Sequence, residues 1–586
     1  MLFRYTFQSF VFLFSILYCA HPISIDGLFN DWDNVPINYV DSQNDCIVSD
    51  YNKIKITHDN EFLFIYVDFY NGDFLMQDWN DFHLYIDADN DLITGKEVHG
   101  IGAELVWNFG NREGYYIIGN QETEIMQNDI TLRIAPTVTS HEFEIGLSLN
   151  SLGLTFDGTE LFTHGRLVFS EINAGGDFIP NELGGINFTI IGNETISFQS
   201  IGLDRFNEND IRLISYNTWN EGILDNERQA YFMRVIKALK PDIIALQEHG
   251  DWEQIDDVIQ SWFPNQQWNA SWTYRDLVVL SRFQIVDDAN MINSERTMAV
   301  LLDTEQELGN KLLIFNSHLS CCGNNDLRQE QVDEFSGSWR DWMLNGLGPF
   351  PIEEGTPFVH VGDFNFVGYK EQIITIRDGD IIDENQYGDD FFPDWDSTPI
   401  IEAFLGHTHK RMGYTWRKDE SSFNPGRLDY VFYSDATINK GNQFILNTLA
   451  IDNMTLDYHG LEQEDTQNAS DHLPLVFDIV STNNLGSIDF EMNPQSFVLH
   501  SNYPNPFNSE TLILFELFST SVIDITIVDI SGKIIRNLMS GIKPKGNHSL
   551  YWDGLNNSGE QISTGLYFKI FKVENHTSVG KMLLLK

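Results

Sequence analysis

Hydrophobic and polar positions follow three different rhythms along this chain. From Ile23 to about residue 200 the apolar runs are short and alternating, as in Phe62-Leu63-Phe64-Ile65-Tyr66-Val67 and Leu132-Arg133-Ile134, and Asn, Asp and Gly break them. A period of two interrupted by turn residues predicts an all-β sandwich with almost no helix. Near Ile211 the rhythm changes. Residues 211–216 read as a buried strand, and then Phe232, Val235, Ile236 and Leu239 recur on one face of a helix over 227–240, before Pro241. Further strands are predicted at 243–246, 277–280, 298–302, 312–316, 358–361, 428–433 and 475–479. A helix over 326–344 places Val332, Phe335, Trp339 and Trp342 at helical spacing. Strands alternating with helices predict mixed α/β layers. Residues 481–493 are polar and carry Gly, Asn and Ser, as a linker does, and a β-rich alternation then runs to the C-terminus.

Length and charge narrow the picture. The 586 residues include 86 Asp+Glu against 35 Lys+Arg, a formal net charge of −51, with 42% hydrophobic residues. That apolar content supports a core in each of several units and excludes global disorder. The acidity excludes a basic nucleic-acid coat, so any polyanion must be met by a local basic patch or by bound cations. Residues 1–20 read as an export signal: Arg4 is its one basic residue, 10–17 its apolar core, and Ala20 ends a cleavage site. The segment is too short to span a bilayer, and no transmembrane span is predicted elsewhere. Cys19 raises a lipoprotein signal, but Tyr18 stands where a small residue is expected, which favours soluble export. Cys46, Cys321 and Cys322 remain, too few for a disulfide framework. The adjacent pair Cys321-Cys322 reads as loop thiols ahead of a vicinal disulfide or a soft metal site, and is given no catalytic role.

Phosphoester hydrolysis in water needs a divalent cation on the phosphate, a positioned water, and donors for the developing charge. The middle region offers such groups at predicted strand ends. Asn217 follows Ser215-Tyr216, Glu248 follows Ile244-Ala245-Leu246-Gln247, and His318 follows Phe315-Asn316-Ser317. Asp363 and Asn365 lie in Val361-Gly362-Asp363-Phe364-Asn365, Asp429 in Arg427-Leu428-Asp429-Tyr430, and Asp471-His472 precede the last strand. Singly, each reads as a turn or cap residue. As an ordered series over 211–479 they resemble the endonuclease/exonuclease/phosphatase superfamily, which includes DNase I-like nucleases, sphingomyelinases and inositol polyphosphate phosphatases.

That resemblance implies a four-layered α/β sandwich with its site at the edge of two central sheets. It implies that Glu248 binds Mg2+, or Mn2+ in its place, with Asn217 and Asp471 completing the metal region. Asp363 would position or deprotonate water, Asn365 and His318 would donate to phosphate oxygens, and His472 would act on the transition state, held by Asp429. One or two carboxylates with waters and substrate oxygens suit Mg2+, and a His backed by an Asp holds its proton more tightly.

The flanking regions carry resemblances of their own. Ile25-Asp26-Gly27 with Asp31-Trp32, and Asp87-Ala88-Asp89-Asn90-Asp91 before Thr94-Gly95, are similar to family 9 carbohydrate-binding and DOMON-type sandwiches. Asp87, Asp89 and Asp91 at alternate positions fit a Ca2+ loop, and fit a solvated acidic turn equally. Trp79 and Trp107 could stack on a glycan or fill the core. The C-terminal motifs Asn502-Tyr503-Pro504-Asn505-Pro506-Phe507-Asn508, Val528-Asp529-Ile530-Ser531-Gly532-Lys533, Trp552-Asp553-Gly554 and Thr564-Gly565-Leu566-Tyr567, with a basic end over 581–586, resemble type IX secretion sorting domains. This implies an immunoglobulin-like sandwich, the type IX machinery as partner, and an extracellular or surface-attached product of a Gram-negative bacterium. The expected division is signal peptide 1–20, β-sandwich 21–200, endonuclease/exonuclease/phosphatase domain 205–481, linker 482–495 and sorting domain 496–586.

Substrate is the open question, and charge bears on it. Residues 210–481 hold 46 acidic against 19 basic residues, which disfavours a long polyanion. One basic run opposes that trend: His407-Thr408-His409-Lys410-Arg411, then Trp416 with Arg417 and Lys418. Cations beside an aromatic suit a nucleic-acid groove, and a solvated loop around a core Trp has the same pattern. Lys410, Arg411, Trp416 and Arg417 are the expected substrate contacts. The leading expectation is a secreted Mg2+-dependent phosphodiesterase acting on nucleic acid. The alternatives are a sphingomyelinase-like or inositol phosphate hydrolase, for which Phe391-Phe392-Pro393-Asp394-Trp395 is a candidate membrane loop, and a non-catalytic surface adhesin.

Overall fold

The computed structural model describes residues 22–481 and 497–585, apart from 47–48, 120, 152, 157–159, 162, 172–175, 191–197, 199, 251, 274, 500–501, 503–506, 509, 518–520, 530–532 and 574–575. The expected signal peptide with Cys19, the expected linker 482–495, Tyr503 to Pro506 and Ile530 to Gly532 of the C-terminal motifs, and Lys586 lie outside the described residues.

The N-terminal region is built of strands, as its period predicts. One antiparallel sheet runs in the order Ile37–Val40, Tyr51–His58, Phe62–Phe69, Glu142–Ser148, Arg133–Ala135. A second contains Asp177–Ile179, His164–Glu171, Phe82–Asp87, Leu105–Asn108, Glu113–Ile118 and Gln121–Ile125. Ile65, Val67, Leu84, Trp107, Phe143 and Phe169 join their facing sides in one core. Trp107, weighed above as a sugar platform, is 2% exposed and belongs to this core. Trp79 is exposed, with its ring 6.2 Å from that of Tyr369 in the middle region.

All eight residues of Phe62–Phe69 are buried, where alternation leads one to expect a wet face. The reason is docking. Phe62, Phe64 and Tyr66 share an apolar cluster with Ile25, Trp32, Met412 and Tyr414 and with the central strands. The backbone joins in: Ile25 N donates to Arg411 O at 3.1 Å and Gly413 N to Ile25 O at 2.9 Å. The N-terminal sandwich is therefore packed against the middle region.

The middle region contains two six-stranded sheets. One has the order Asn269–Trp272, Leu277–Ser281, Ile243–Gln247, Ile211–Asn217, Leu475–Ile479, Lys440–Ile445; the other is Ile285–Asn290, Thr297–Leu302, Leu312–His318, Phe358–Asp363, Asp429–Tyr433, Ile401–Glu402. Leu213, Ala245 and Val279 from the first meet Val300, Ile314 and Val361 from the second in a shared core. On the far side of the first sheet, Ile214, Ile244 and Leu280 pack against Val235, Ile236 and Leu239 of the helix Gln229–Leu239. On the far side of the second, Leu313, Phe315 and Phe358 pack against Val332, Phe335, Trp339 and Trp342 of the helix Asn325–Asn345. Burial on both faces explains why these strands read as apolar runs, and each such side chain contributes about 1.5–3 kcal/mol. Arg212 and Asp478 stand opposite each other in the ladder and form a bidentate buried pair at 2.7 Å, which pins the register of the last strand.

The C-terminal region holds a sheet of Phe497–Leu499, Thr511–Leu517 and Gly546–Trp552, and one of Ile534–Lys543, Ser521–Asp529, Gly565–Val573 and His576–Leu584. Phe507, Ile513, Trp552 and Tyr567 share one of its cores.

Candidate active site

The polar residues that close the central strands converge. Asn217 ends Ile211–Asn217, His318 ends Leu312–His318 and Asp363 ends Phe358–Asp363, three strands that all finish on the same side. Glu248 immediately follows Ile243–Gln247 in a left-handed turn with φ of 56°. Asp429 opens its strand directly opposite Asp363. Before Asp363 the chain needs glycine: Gly362 has φ of 142°, and a Cβ there would lie 2.0 Å from the Ser317 carbonyl oxygen.

Asp363 is the hub. It is 1% exposed. Its Oδ1 accepts from Asn365 N at 3.0 Å, and its Oδ2 accepts from Asn217 Nδ2 at 2.9 Å. His472 Nε2 and His318 Nε2 flank that Oδ2 at 3.7 and 3.8 Å. Those distances are too long for hydrogen bonds, so both imidazoles keep a donor for another oxygen. Asn217 Nδ2 also donates to Glu248 Oε1 at 3.1 Å, and Asn220 N holds Glu248 Oε2 at 3.0 Å.

Each histidine is backed by a carboxylate. His472 Nδ1 donates to Asp429 Oδ2 at 2.8 Å, and His318 Nδ1 to Asp276 Oδ2 at 2.7 Å. Burial disfavours a charge on His472, but Asp429 and Asp363 outweigh it and push its pKa up to about 10. The same contest, with Asp276 and Asp363 as the winners, raises His318. Burial, reinforced by Asp429, pushes Asp363 above the usual carboxylate range, and the two histidines pull it partly back. Asp276 was not anticipated from the sequence. It is one acid among 86, and its place before the Leu277–Ser281 strand is its only signal.

Glu248, His318 and Asp363 present ligand atoms within 4.8 Å of one another, as do Asp363, Asp429 and His472. In the first set the half-buried Glu248 and the buried Asp363 are the carboxylates that fit a hard divalent ion keeping most of its waters, while His318 keeps its Nε2 proton for another oxygen. Asn365 is anchored at the edge, its Nδ2 donating to Leu319 O at 3.1 Å. Asp471, expected to complete the metal region, stands outside both sets. Its Oδ2 instead accepts from Trp416 Nε1 at 3.3 Å, and its Oδ1 is buried with no partner.

The expected basic groove is dismantled. Arg411 Nε donates to Ile23 O at 2.9 Å and its guanidinium pairs with Asp59, so it serves the junction with the N-terminal sandwich. Arg417 is a bidentate partner of Asp419 at 2.5 and 2.8 Å. His407 is buried, with its pKa pushed by burial down to about 3, and is neutral. Trp416 does lie beside the site, bridging Gly426 and His472 through its backbone. Lys410 is exposed. A different cationic aromatic surface adjoins Asn217: Trp219 is 38% exposed, Lys418 Nζ stands 5.0 Å and the Arg228 guanidinium 5.1 Å from its ring, and Trp219 N donates to Asn217 Oδ1 at 2.9 Å.

The proposed Ca2+ loop is also regrouped. Asp87 and Asp89 cluster with Glu104, while Asp91 Oδ1 accepts from Ile93 N at 3.0 Å. Arg166 lies 2.7 Å from Asp87 and offsets part of that charge. Cys321 and Cys322 are free thiols in an exposed loop.

Residues 214–472 match the Endonuclease/Exonuclease/phosphatase family, and residues 509–577 match the FlgD Ig-like domain. No curated protein matches the chain. Among solved structures, the human Nocturnin catalytic domain is 17% identical, over 48% of this chain and 97% of that one, with a TM-score of 0.30. ANGEL2, a 2′,3′-cyclic phosphatase, is 15% identical over 49% and 98%, with a TM-score of 0.33. Truncated TDP2 from Caenorhabditis elegans is 17% identical over 46% and 98%, with a TM-score of 0.31. The family match spans the strand ends that carry Asn217, Glu248, His318, Asp363, Asp429 and His472; residues 214–472 are an endonuclease/exonuclease/phosphatase-family domain, and the protein is a metal-dependent phosphoric ester hydrolase.

Proposed function

We propose that this protein is an exported Mg2+-dependent phosphodiesterase that cleaves nucleic acid. The observation that carries the reading is the convergence on Asp363 of two carboxylate-backed histidines, with Asn217 and Glu248 beside it. Mg2+ held by Glu248, with Asn217 and Asp363 adjacent, would offset phosphate charge and polarise a phosphoryl oxygen.

The chain's own groups do the rest. Asp363, fixed by Asn365 N and the Asn217 amide, orients a water in line with the phosphorus and takes its proton. His472, held protonated by Asp429, donates from Nε2 to an oxygen on which charge develops. His318, oriented by Asp276, donates from the opposite side. The buried setting strengthens each of these contacts relative to water.

Nucleic acid is favoured over lipid by two surface features. Trp219 with Lys418 and Arg228 offers a stacking face and cations next to Asn217. The loop considered for membrane insertion is largely tucked in: Phe391 and Trp395 pack on the core and Phe392 alone is exposed. Export from a Gram-negative cell through the type IX machinery is supported by the N-terminal apolar segment and by the C-terminal motifs. A glycan ligand for the N-terminal sandwich rests on resemblance alone.

The test is hydrolysis of single-stranded DNA, duplex DNA and RNA by the purified chain in Mg2+ and in EDTA, with Asp363→Asn as control and sphingomyelin and inositol phosphates alongside. Metal-dependent nucleic-acid cleavage that the variant loses is the expected result. Cleavage confined to sphingomyelin or inositol phosphates would overturn the substrate assignment.

A further inference from the structure

A second set of carboxylates lies in the N-terminal sandwich. After the Ile37–Val40 strand the chain loops before entering the neighbouring strand at Tyr51, and that loop carries Asp41, Asp45 and Asp50. Asp177, the first residue of Asp177–Ile179 in the opposite sheet, joins them, and ligand oxygens of all four lie within 4.8 Å of one another. Asp41, Asp50 and Asp177 are 4%, 1% and 4% exposed.

Acids this close and this buried need an opposite charge. The hydrogen bonds that reach them come from neutral amides. Asn181 Nδ2 donates to Asp41 Oδ1 and Asp45 Oδ2, both at 2.9 Å; Asn44 N donates to Asp50 Oδ2 at 2.8 Å and Tyr51 N to Asp177 Oδ2 at 3.1 Å. Asp41 Oδ2 and Asp50 Oδ1 remain buried with no hydrogen-bond partner, as does Ser49 Oγ. A buried acceptor left unpaired is destabilising. Burial and the neighbouring acids push Asp41 up to about 7 and, against the help of Tyr51 N, Asp177 up to about 6. The Asp87, Asp89 and Glu104 group differs, because Arg166 already stands against it.

We propose that Asp41, Asp45, Asp50 and Asp177 form a Ca2+ site that clips the two sheets of the N-terminal sandwich together. The donor set is all oxygen, with no His or Cys in it. Four carboxylates in a protein cage suit Ca2+, which takes six to eight oxygens in flexible geometry, and suit Mg2+ poorly, since it keeps its waters. Asp177 is the link between sheets, so occupancy stabilises the sandwich and is independent of catalysis.

The experiment uses the full chain stripped of metal, with thermal unfolding and calorimetric titration in CaCl2, MgCl2 or EDTA. Glu248→Gln marks the catalytic site and Asp87→Asn the neighbouring acidic group. In the parent protein and both of these variants, Ca2+ should raise the unfolding temperature of the N-terminal transition by about 5 °C, with no shift in Mg2+. In Asp41→Asn/Asp177→Asn the Ca2+ shift and heat should vanish, and stability in EDTA should rise because repulsion is relieved. Should the double variant fold poorly, the single change at exposed Asp45→Asn should still weaken Ca2+ binding at least tenfold. A full Ca2+ response in Asp45→Asn or in the double variant, or none in the parent, overturns the proposal.

Discussion

Asp363 and Asp429 stand directly opposite each other on neighbouring antiparallel strands, two buried carboxylates in register. They coexist because the His472 imidazole serves both, bonded to Asp429 at 2.8 Å and 3.7 Å from Asp363. Asp429→Asn removes the charge that keeps His472 protonated. The expected result is a fall in kcat of about 10²- to 10³-fold with KM changed little, measured on a small chromogenic phosphodiester. A variant within threefold of the parent would end the assignment of His472 as a charged donor.

Asp276 plays the matching part for His318 through a 2.7 Å bond. It is a positioning residue, and Asp276→Asn should cost about 10- to 100-fold in kcat. His318→Ala should not add its full effect on top of Asp276→Asn, because the two act through one imidazole. Full additivity in the double-variant cycle would separate them.

Trp219 and Lys418 form the surface beside Asn217. Trp219→Ala should raise KM for single-stranded DNA about tenfold, since one base stack is worth about 1–3 kcal/mol. Lys418→Ala should also flatten the salt dependence of cleavage. Both should leave a small phosphodiester untouched; equal losses on both substrates would point to a damaged site instead.

Arg411 binds the N-terminal sandwich through Ile23 and Asp59. Arg411→Ala leaves Asp59 buried without its cation, and should destabilise the protein by about 3 kcal/mol in urea unfolding. KM for DNA should stay the same. A raised KM at unchanged stability would return Arg411 to the substrate groove.

Two buried histidines make the fold acid-sensitive. Burial pushes His360 and His407 down to about 3, and the bond from His407 Nε2 to the Tyr414 carbonyl at 2.7 Å, which favours the charged ring, offsets only part of that. An unfolded histidine takes its proton near pH 6.5. Between those values the unfolded chain binds more protons, so each contributes stability that is present above about 6.5 and lost as pH falls toward 3, by up to about 1.4 kcal/mol per pH unit. Raised carboxylates such as Glu104, pushed by burial to about 7, act in the opposite sense. The difference between parent and His360→Phe isolates the effect: urea midpoints should converge as pH drops from 7 to 4.5. Parallel curves would contradict the buried neutral ring.

The three rhythms and the ordered polar residues at strand ends were legible in the sequence because both are local. A strand buried on two faces is mostly apolar along its length, and polar residues gather at the end where it reaches the sheet's edge. Hence Asn217, Glu248, His318 and Asp363 could be read as a series, and the helix predicted over 326–344 spans Asn325–Asn345. The helix Trp252–Trp262 and the strands Ile285–Asn290 and Lys440–Ile445 were missed, since the last two alternate weakly and carry exposed polar residues.

Tertiary structure decided which charges are free and which are used. Arg411 and Arg417 look alike in sequence, yet one is taken by Asp59, far away in the chain, and the other by Asp419 two residues on. Trp107 and Trp219 are equally ambiguous until the fold buries one and exposes the other. Asp276 joins His318, and Asp177 joins Asp41, only through strands brought together from distant segments. Local pattern determines where a side chain leaves its strand; the partner it meets there depends on contacts between remote segments, whose desolvation and charge pairing no short stretch of sequence contains.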